Sequence, residues 1–180
     1  MGTKFSTRIW VSVVGIASIF LGSKGYADTV ISVADFGLKP DTRENAVAYV
    51  QKAIEACRGK EPVTLVFPEG RYDFWPQYAH EKNYYETNTY DVFPKRLAML
   101  FEGLHNITVD GNGSQFVMHD RIQPITVENC DGVTLKNFSI DWDIPLTAQA
   151  RVTKVGSDFF EIGINVLESP YIIEDGKLVF

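Results

Sequence analysis

Only two cysteines and three histidines occur in the 180 residues, and their spacing excludes the common metal frames. Cys57 and Cys130 form no CxxC pair, and His80, His105 and His119 stand apart from one another. A single disulfide is the most that two cysteines allow, with two small buried hydrophobes as the favoured alternative. Positive charge is also scarce: 17 Lys and Arg stand against 23 Asp and Glu, a net charge of −6. That balance argues against a nucleic-acid partner. No cysteine precedes Cys57, so a lipoprotein-type diacylglyceryl anchor has no attachment point. The apolar run from Ile9 to Leu21 falls short of the ~20 residues that a membrane-spanning helix requires.

Preceded by Lys4 and Arg8, and followed by Gly22-Ser23-Lys24-Gly25-Tyr26-Ala27, that run has the layout of a secretory signal peptide over residues 1–27, cleaved after Ala27. Cleavage removes Lys4, Arg8 and Lys24 but no acid. It leaves 14 basic residues (17 less 3) against 23 acidic ones, a net charge of −9. The expected location is exported, periplasmic or extracellular in a bacterium, with no membrane insertion after cleavage.

What is present is apolar and aromatic content, 45% and 13%, which suits a packed core and not a disordered chain. Val30, Ile31 and Val33 read as a short strand ended by Phe36-Gly37. Asp41 with Glu44 forms a capping-box pattern ahead of a helix. The helix carries Ala46, Val47, Val50, Ala53, Ile54 and Cys57 on one stripe. Val63 to Phe67, bounded by Pro62 and Pro68-Glu69-Gly70, fits a strand buried on both faces, as in a parallel sheet.

Residues 99–109, MLFEGLHNITV, lie over residues 125–135, ITVENCDGVTL, at a constant offset of 26. Phe101-Glu102 matches Val127-Glu128, and Ile107-Thr108-Val109 matches Val133-Thr134-Leu135. A period of this size marks a solenoid. With two short β-rich runs per unit and no helical pattern between them, the economical fold is all-β, a parallel β-helix whose coils bury their inner faces by stacking. The N-terminal helix then caps the first coil. From Arg151 the pattern changes to alternating runs around a Glu174-Asp175-Gly176 turn, read as antiparallel hairpins. The expected organisation is a signal peptide over 1–27, a cap and first coils over 28–150, and the start of an antiparallel insertion over 151–180. The apolar ending at Phe180 reads as a fragment with further coils to follow.

Two stretches carry a resemblance. VADFGLKPDTRENAVAYVQKAIEAC with VFPEGRYDF resembles the opening of the pectate-lyase-like right-handed β-helix superfamily, although Asp41-Thr42 stands where that pattern often has Asp-Gly. GRYDFWP, NYYETN, KRLAMLFEGLHNITVDGNGSQFVMH and VTLKNFSIDWDIPLTAQARV resemble glycoside hydrolase family 110, exported bacterial α-1,3-galactosidases that remove terminal α-linked galactose, including that of the blood group B antigen. The resemblance implies a right-handed parallel β-helix, terminal α-galactosyl glycans as partners, inverting hydrolysis and no cofactor. It also implies catalytic carboxylates on later coils, beyond residue 180.

The segment NFSIDWDIP, residues 137–145, alternates Phe138, Ile140 and Trp142 with Ser139, Asp141 and Asp143, so both acids share one strand face. At ~3.3 Å rise their backbones stand ~6.6 Å apart, at the low edge of the ~6.5–9.5 Å of inverting glycosidases. Catalysis nevertheless requires acids on opposite sides of the sugar. Sugar-hydroxyl binding and a structural bend before Ile144-Pro145 therefore stand ahead of it. YDFWPQYAHEKNYYETNTYDVF, residues 72–93, crowds Trp75, Tyr84, Tyr85 and other aromatics among charges, which suits either a sugar platform or a loop packing its own rings. The substrate-binding candidates are Trp75, Tyr84, Tyr85, Asp141, Trp142 and Asp143. Asp110-Gly111-Asn112-Gly113 lacks the Lys-Ser/Thr of a phosphate loop and reads as a tight corner. Rival readings are a pectin-active enzyme on the same fold and a non-catalytic glycan-binding module.

Overall fold

The computed structural model describes residues 29–83 and 94–180. The expected signal peptide, along with Tyr84, Tyr85, Tyr90 and Phe93, lies outside the described residues. The chain runs β1 (Thr29–Ser32), a 3-10 turn (Val33–Phe36), α1 (Val47–Cys57), β2 (Val63–Val66), β3 (Arg71–Phe74) and β4 (His80–Lys82). It continues with β5 (Lys95–Glu102), β6 (His105–Met118), β7 (Gln123–Glu128), β8 (Asp131–Trp142), β9 (Ala150–Val155), β10 (Phe160–Ile164), β11 (Ile172–Glu174) and β12 (Lys177–Val179). Strands dominate, and the larger sheet is parallel throughout, consistent with the expected all-β class.

In the larger sheet β1 pairs with β2, β2 and β3 both pair with β6, and β6 pairs with β8. Ile107 faces Val133 and Val109 faces Leu135. On the second sheet Met99 of β5 faces Ile125 of β7, and Phe101 faces Val127. The 26-residue sequence match is therefore realised as strand-on-strand register. At residues 110–114 the register shifts, because Asn112 and Gly113 take left-handed φ values of 50° and 83° and form a bulge that re-aims the strand. Gly111 is obligatory there. A Cβ at that position would stand 2.5 Å from Phe138 Cβ and 2.7 Å from the Asn137 carbonyl.

An aromatic cluster gathers around Phe116, whose rung partners are Tyr72 and Ile140 and whose ring also meets phenylalanines from neighbouring rungs. Phe67 packs on Phe116 at 4.8 Å between ring centroids, Phe74 on Phe116 at 5.7 Å, and Phe138 on Phe116 at 4.8 Å. Val63, Leu65, Tyr72, Met99, Phe101, Ile107 and Val109 complete an interior shared by both sheets. The predicted helix buries its whole apolar stripe, Val47, Val50, Ala53, Ile54 and Cys57, against that interior. Both cysteines are free, and burial pushes the Cys57 thiol up to about 11.

The helix start differs from the expected capping box. Asp41 accepts the Arg71 backbone N–H at 2.9 Å and returns its own N–H to the Arg71 carbonyl at 2.8 Å. That holds the segment against β3, with Asn45 bridged to Asp73. The cap role passes to Asn45, whose Oδ1 accepts the Val47 N–H at 3.1 Å. Long-range pairing thus outweighs a local capping signal. Beyond residue 149, β9–β10 and β11–β12 form antiparallel pairs. The second closes at Asp175 and Gly176, both with positive φ, as a two-residue hairpin requires. Among the described residues no helix is long and apolar enough to cross a membrane.

Candidate functional site

The parallel ladder runs past the strand ends. The His119 N–H donates to the Phe74 carbonyl at 2.9 Å, and the Asp143 N–H donates to the Met118 carbonyl at 3.0 Å. Trp75, His119 and Asp143 therefore occupy equivalent positions on three stacked strands, one beyond Phe74, Met118 and Trp142, which are in register. The Trp75 and His119 rings lie 3.8 Å apart and within 7° of parallel. His119 Nδ1 stands 3.9 Å from Asp143 Oδ2.

Below this column sits an ion network built around one buried carboxylate, Asp73. Asp73 is 1% exposed and takes Arg71 Nη2 at 2.6 Å, Arg71 Nε at 3.0 Å and His119 Nε2 at 2.8 Å. Arg71 Nη2 also donates to Asp143 Oδ1 at 2.9 Å, with Arg43 Nη1 at 3.8 Å from the same oxygen. Burial alone raises the Asp73 pKa, but the hydrogen bonds from Arg71 and His119 outweigh it and hold the carboxyl below its usual value. Its oxygens are acceptors only, so His119 Nε2 carries the proton between them. Arg71 is held above its usual value, chiefly by its hydrogen bond to Asp73.

Beside Trp75 opens a cleft of about 480 Å³, bordered by Pro76, Gln77, Tyr78, Glu81, Arg96 and Asp120. Two tethers shape it. Asn45 Oδ1 accepts the Trp75 N–H at 3.2 Å, while Asn45 Nδ2 donates to the Gln77 carbonyl at 2.9 Å. On the opposite side the Trp142 indole N–H donates to the Asp120 carbonyl at 3.2 Å. Glu81 and Arg96 form an ion pair at 3.4 Å.

The sequence candidates are distributed unevenly. Trp75 borders the cleft. Trp142 packs its ring on the core and spends its N–H on Asp120. Asp143 lies in the ion network, and Asp141 is exposed, its Oδ1 accepting the Trp142 N–H at 2.8 Å. The two acids of DWD thus differ in surroundings: one is a local turn acceptor, the other an ion partner. Tyr72 and Phe74 are core residues, Tyr78 is exposed and borders the cleft, and Tyr84 and Tyr85 lie outside the described residues. Sequence reasoning missed Asp73, Arg71 and His119. The register was the available signal, since Val63 facing Ile107 and Phe74 facing Met118 share an offset of 44 residues, which sets Trp75 against His119. Asp110-Gly111-Asn112-Gly113 is the corner expected of it, with Asp110 accepting the Asn112 N–H at 3.0 Å. Among the described residues no group of three or more His, Cys, Asp or Glu side chains could hold a metal ion.

No protein-family model matches the chain. Curated relatives do. The chain is 60% identical over 154 residues, 86% of its length, to alpha-1,3-galactosidase B of Bacteroides thetaiotaomicron, of which that stretch is 25%. It is 36% identical over 151 residues to alpha-1,3-galactosidase A of Shewanella woodyi, covering 83% of this chain and 25% of that protein. To alpha-1,3-galactosidase A of Bacteroides fragilis it is 34% identical over 156 residues, 84% of this chain and 26% of that protein. The chain thus spans about a quarter of the length of the relatives it matches.

Proposed function

The chain belongs to the α-1,3-galactosidase family, and from that premise we propose that it is part of an exported glycosidase that removes terminal α-1,3-linked galactose from glycans of the blood group B type. The observation that carries this reading is 60% identity sustained across 154 residues. The stacked parallel strands suit a right-handed parallel β-helix, with α1 covering the first layer and the hairpins from β9 onward added to it. The amino-terminal 27 residues serve as the cleaved export signal.

In the proposed reaction one carboxylic acid gives its proton to the glycosidic oxygen as the bond to the anomeric carbon breaks. A second carboxylate takes a proton from the water that attacks from the opposite face, so the anomer inverts. Asp73 and Asp143 are unsuited to either role because both are engaged by Arg71. The catalytic pair is assigned to the part of the protein beyond residue 180. This segment contributes substrate contacts from the Trp75 side, and no cofactor is required.

The test is galactose release by the full-length protein from an α-1,3-linked galactosyl disaccharide, followed by proton NMR from the first minute. β-Galactose should appear first and then mutarotate. No release from this substrate would end the galactosidase reading, and α-galactose appearing first would end the inverting mechanism.

A further inference from the structure

His119 sits where three strands end, and its ring meets a different group on each side. Nε2 donates to the Asp73 carboxylate of β3 at 2.8 Å. Nδ1 stands 3.9 Å from Asp143 Oδ2, outside hydrogen-bond reach. One ring face lies on Trp75, 3.8 Å between centroids and 7° from parallel. With the single proton on Nε2, Nδ1 keeps its lone pair, so two acceptors confront each other across the 3.9 Å gap.

A second proton on the ring changes all three contacts at once. Nδ1 becomes a donor beside an anionic oxygen, the bond to Asp73 joins two charged partners, and a cation now lies on an indole face. Arg71, bonded to both carboxylates at 2.6 and 2.9 Å, and Arg43, 3.8 Å from Asp143, oppose the added charge. Both of them, however, reach Oδ1 of Asp143, and Oδ2 is the oxygen that faces His119. Asp120, the next residue along, adds a further negative charge. The His119 side chain is 14% exposed and that of Asp143 37%, so a proton can reach the ring and the Asp143 carboxylate has room to move. An imidazole is the side chain that ordinarily changes charge between about pH 5 and 8.

Movement at Asp143 has a consequence for the chain. It follows β8 and directly precedes Ile144-Pro145, where the parallel stack is left for the antiparallel β9 at Ala150. We propose that His119 is a proton-operated clamp: its second proton closes the gap to Asp143 and ties the exit segment 143–149 to the ends of β3 and β6, and loss of that proton loosens it. The assignment needs no premise about the substrate.

The experiment follows tryptophan emission of the full-length protein from about pH 8 to pH 5. The difference between wild type and Trp75→Phe isolates Trp75, whose emission should fall as an imidazolium forms on its face, because a protonated imidazole in contact with an indole quenches it. His119→Gln offers Asp73 one N–H and has no second proton to gain, and should abolish the fall. Asp143→Asn should move the fall to lower pH, since it removes a charge that favours the imidazolium. Amide exchange in residues 144–149, corrected for its intrinsic pH dependence, should slow about fivefold at the acid end in wild type and not in His119→Gln. Circular dichroism checks each variant's fold, and Asp143→Asn carries the test if His119→Gln does not fold. Emission from Trp75 that ignores pH, a fall that survives in folded His119→Gln, or a fall unmoved by Asp143→Asn overturns the clamp, and so does exit-segment exchange that is the same at both ends of the range.

Discussion

At the corner where β3 and β6 end, Arg71 bridges Asp73 and Asp143 at 2.6 and 2.9 Å. On the second sheet Lys82 bridges Glu102 and Glu128 at 2.7 and 2.9 Å. Both arrangements answer the same problem, since parallel stacking brings acids of successive strands together, as Glu102 facing Glu128 illustrates. The settings differ. In the first cluster Asp73 is 0% exposed, Arg71 23% and Asp143 37%, whereas Lys82, Glu102 and Glu128 are 31%, 44% and 30% exposed, so the difference lies in the one fully buried carboxylate. A planar guanidinium can serve two carboxylates in fixed geometry away from water, while an ammonium suits a solvated pair. The cluster built on the buried Asp73 therefore carries structural consequence, and the one with no buried member mainly relieves repulsion.

Removing Asp73 should give the largest effect. In Asp73→Ala, Arg71 and His119 lose their shared buried acceptor, and urea unfolding of the full-length protein should show a loss of about 3–5 kcal/mol. A loss under about 1 kcal/mol would erase the distinction between the two clusters. Arg71→Lys keeps the charge and loses the fork, and should cost about 1.5–3 kcal/mol in the same measurement.

The pH response has a definite sign. Asp73 is held below its usual value in the folded state, so its contribution is complete above the unfolded carboxyl value of ~3.9 and fades as pH falls through the lower folded value. The urea midpoint of wild type should therefore drop more steeply than that of Asp73→Asn as pH falls below the unfolded carboxyl value of ~3.9. Parallel curves would show that Asp73 is not held down by its partners. The smallest effect belongs to Lys82→Met, whose unfolding midpoint should stay close to wild type, with any difference shrinking at about 0.5 M salt. A shift as large as that of Arg71→Lys would mean that exposure does not separate the clusters.

The Trp75 segment and the helix show how legibility varied. The α1 stripe needed no partner to be recognised, because a 3.6-residue period reports one buried face wherever the helix packs. Strand β2 and the Glu174-Asp175-Gly176 turn were legible for the same local reason. The capping box at Asp41 and Glu44 was misread because the Arg71 backbone, 30 residues on, claims the Asp41 side chain. His119 looked isolated because its partner Asp73 is 46 residues away. Asp141 and Asp143 looked like one pair, yet only Asp143 reaches the Arg71 that arrives from another strand.

The sequence by itself determined the composition of each element, the 26-residue match between stacked strands and the kinship to α-1,3-galactosidases. Those are properties of local pattern and of order along the chain. Only the tertiary structure decided that Trp75, His119 and Asp143 form one column, that Asp73 is a buried anion, and that Trp142 anchors Asp120 instead of facing a ligand. The physical reason is register. Strand pairing fixes which distant residues share a rung, and a shift of even one residue would send each of these side chains to the opposite face.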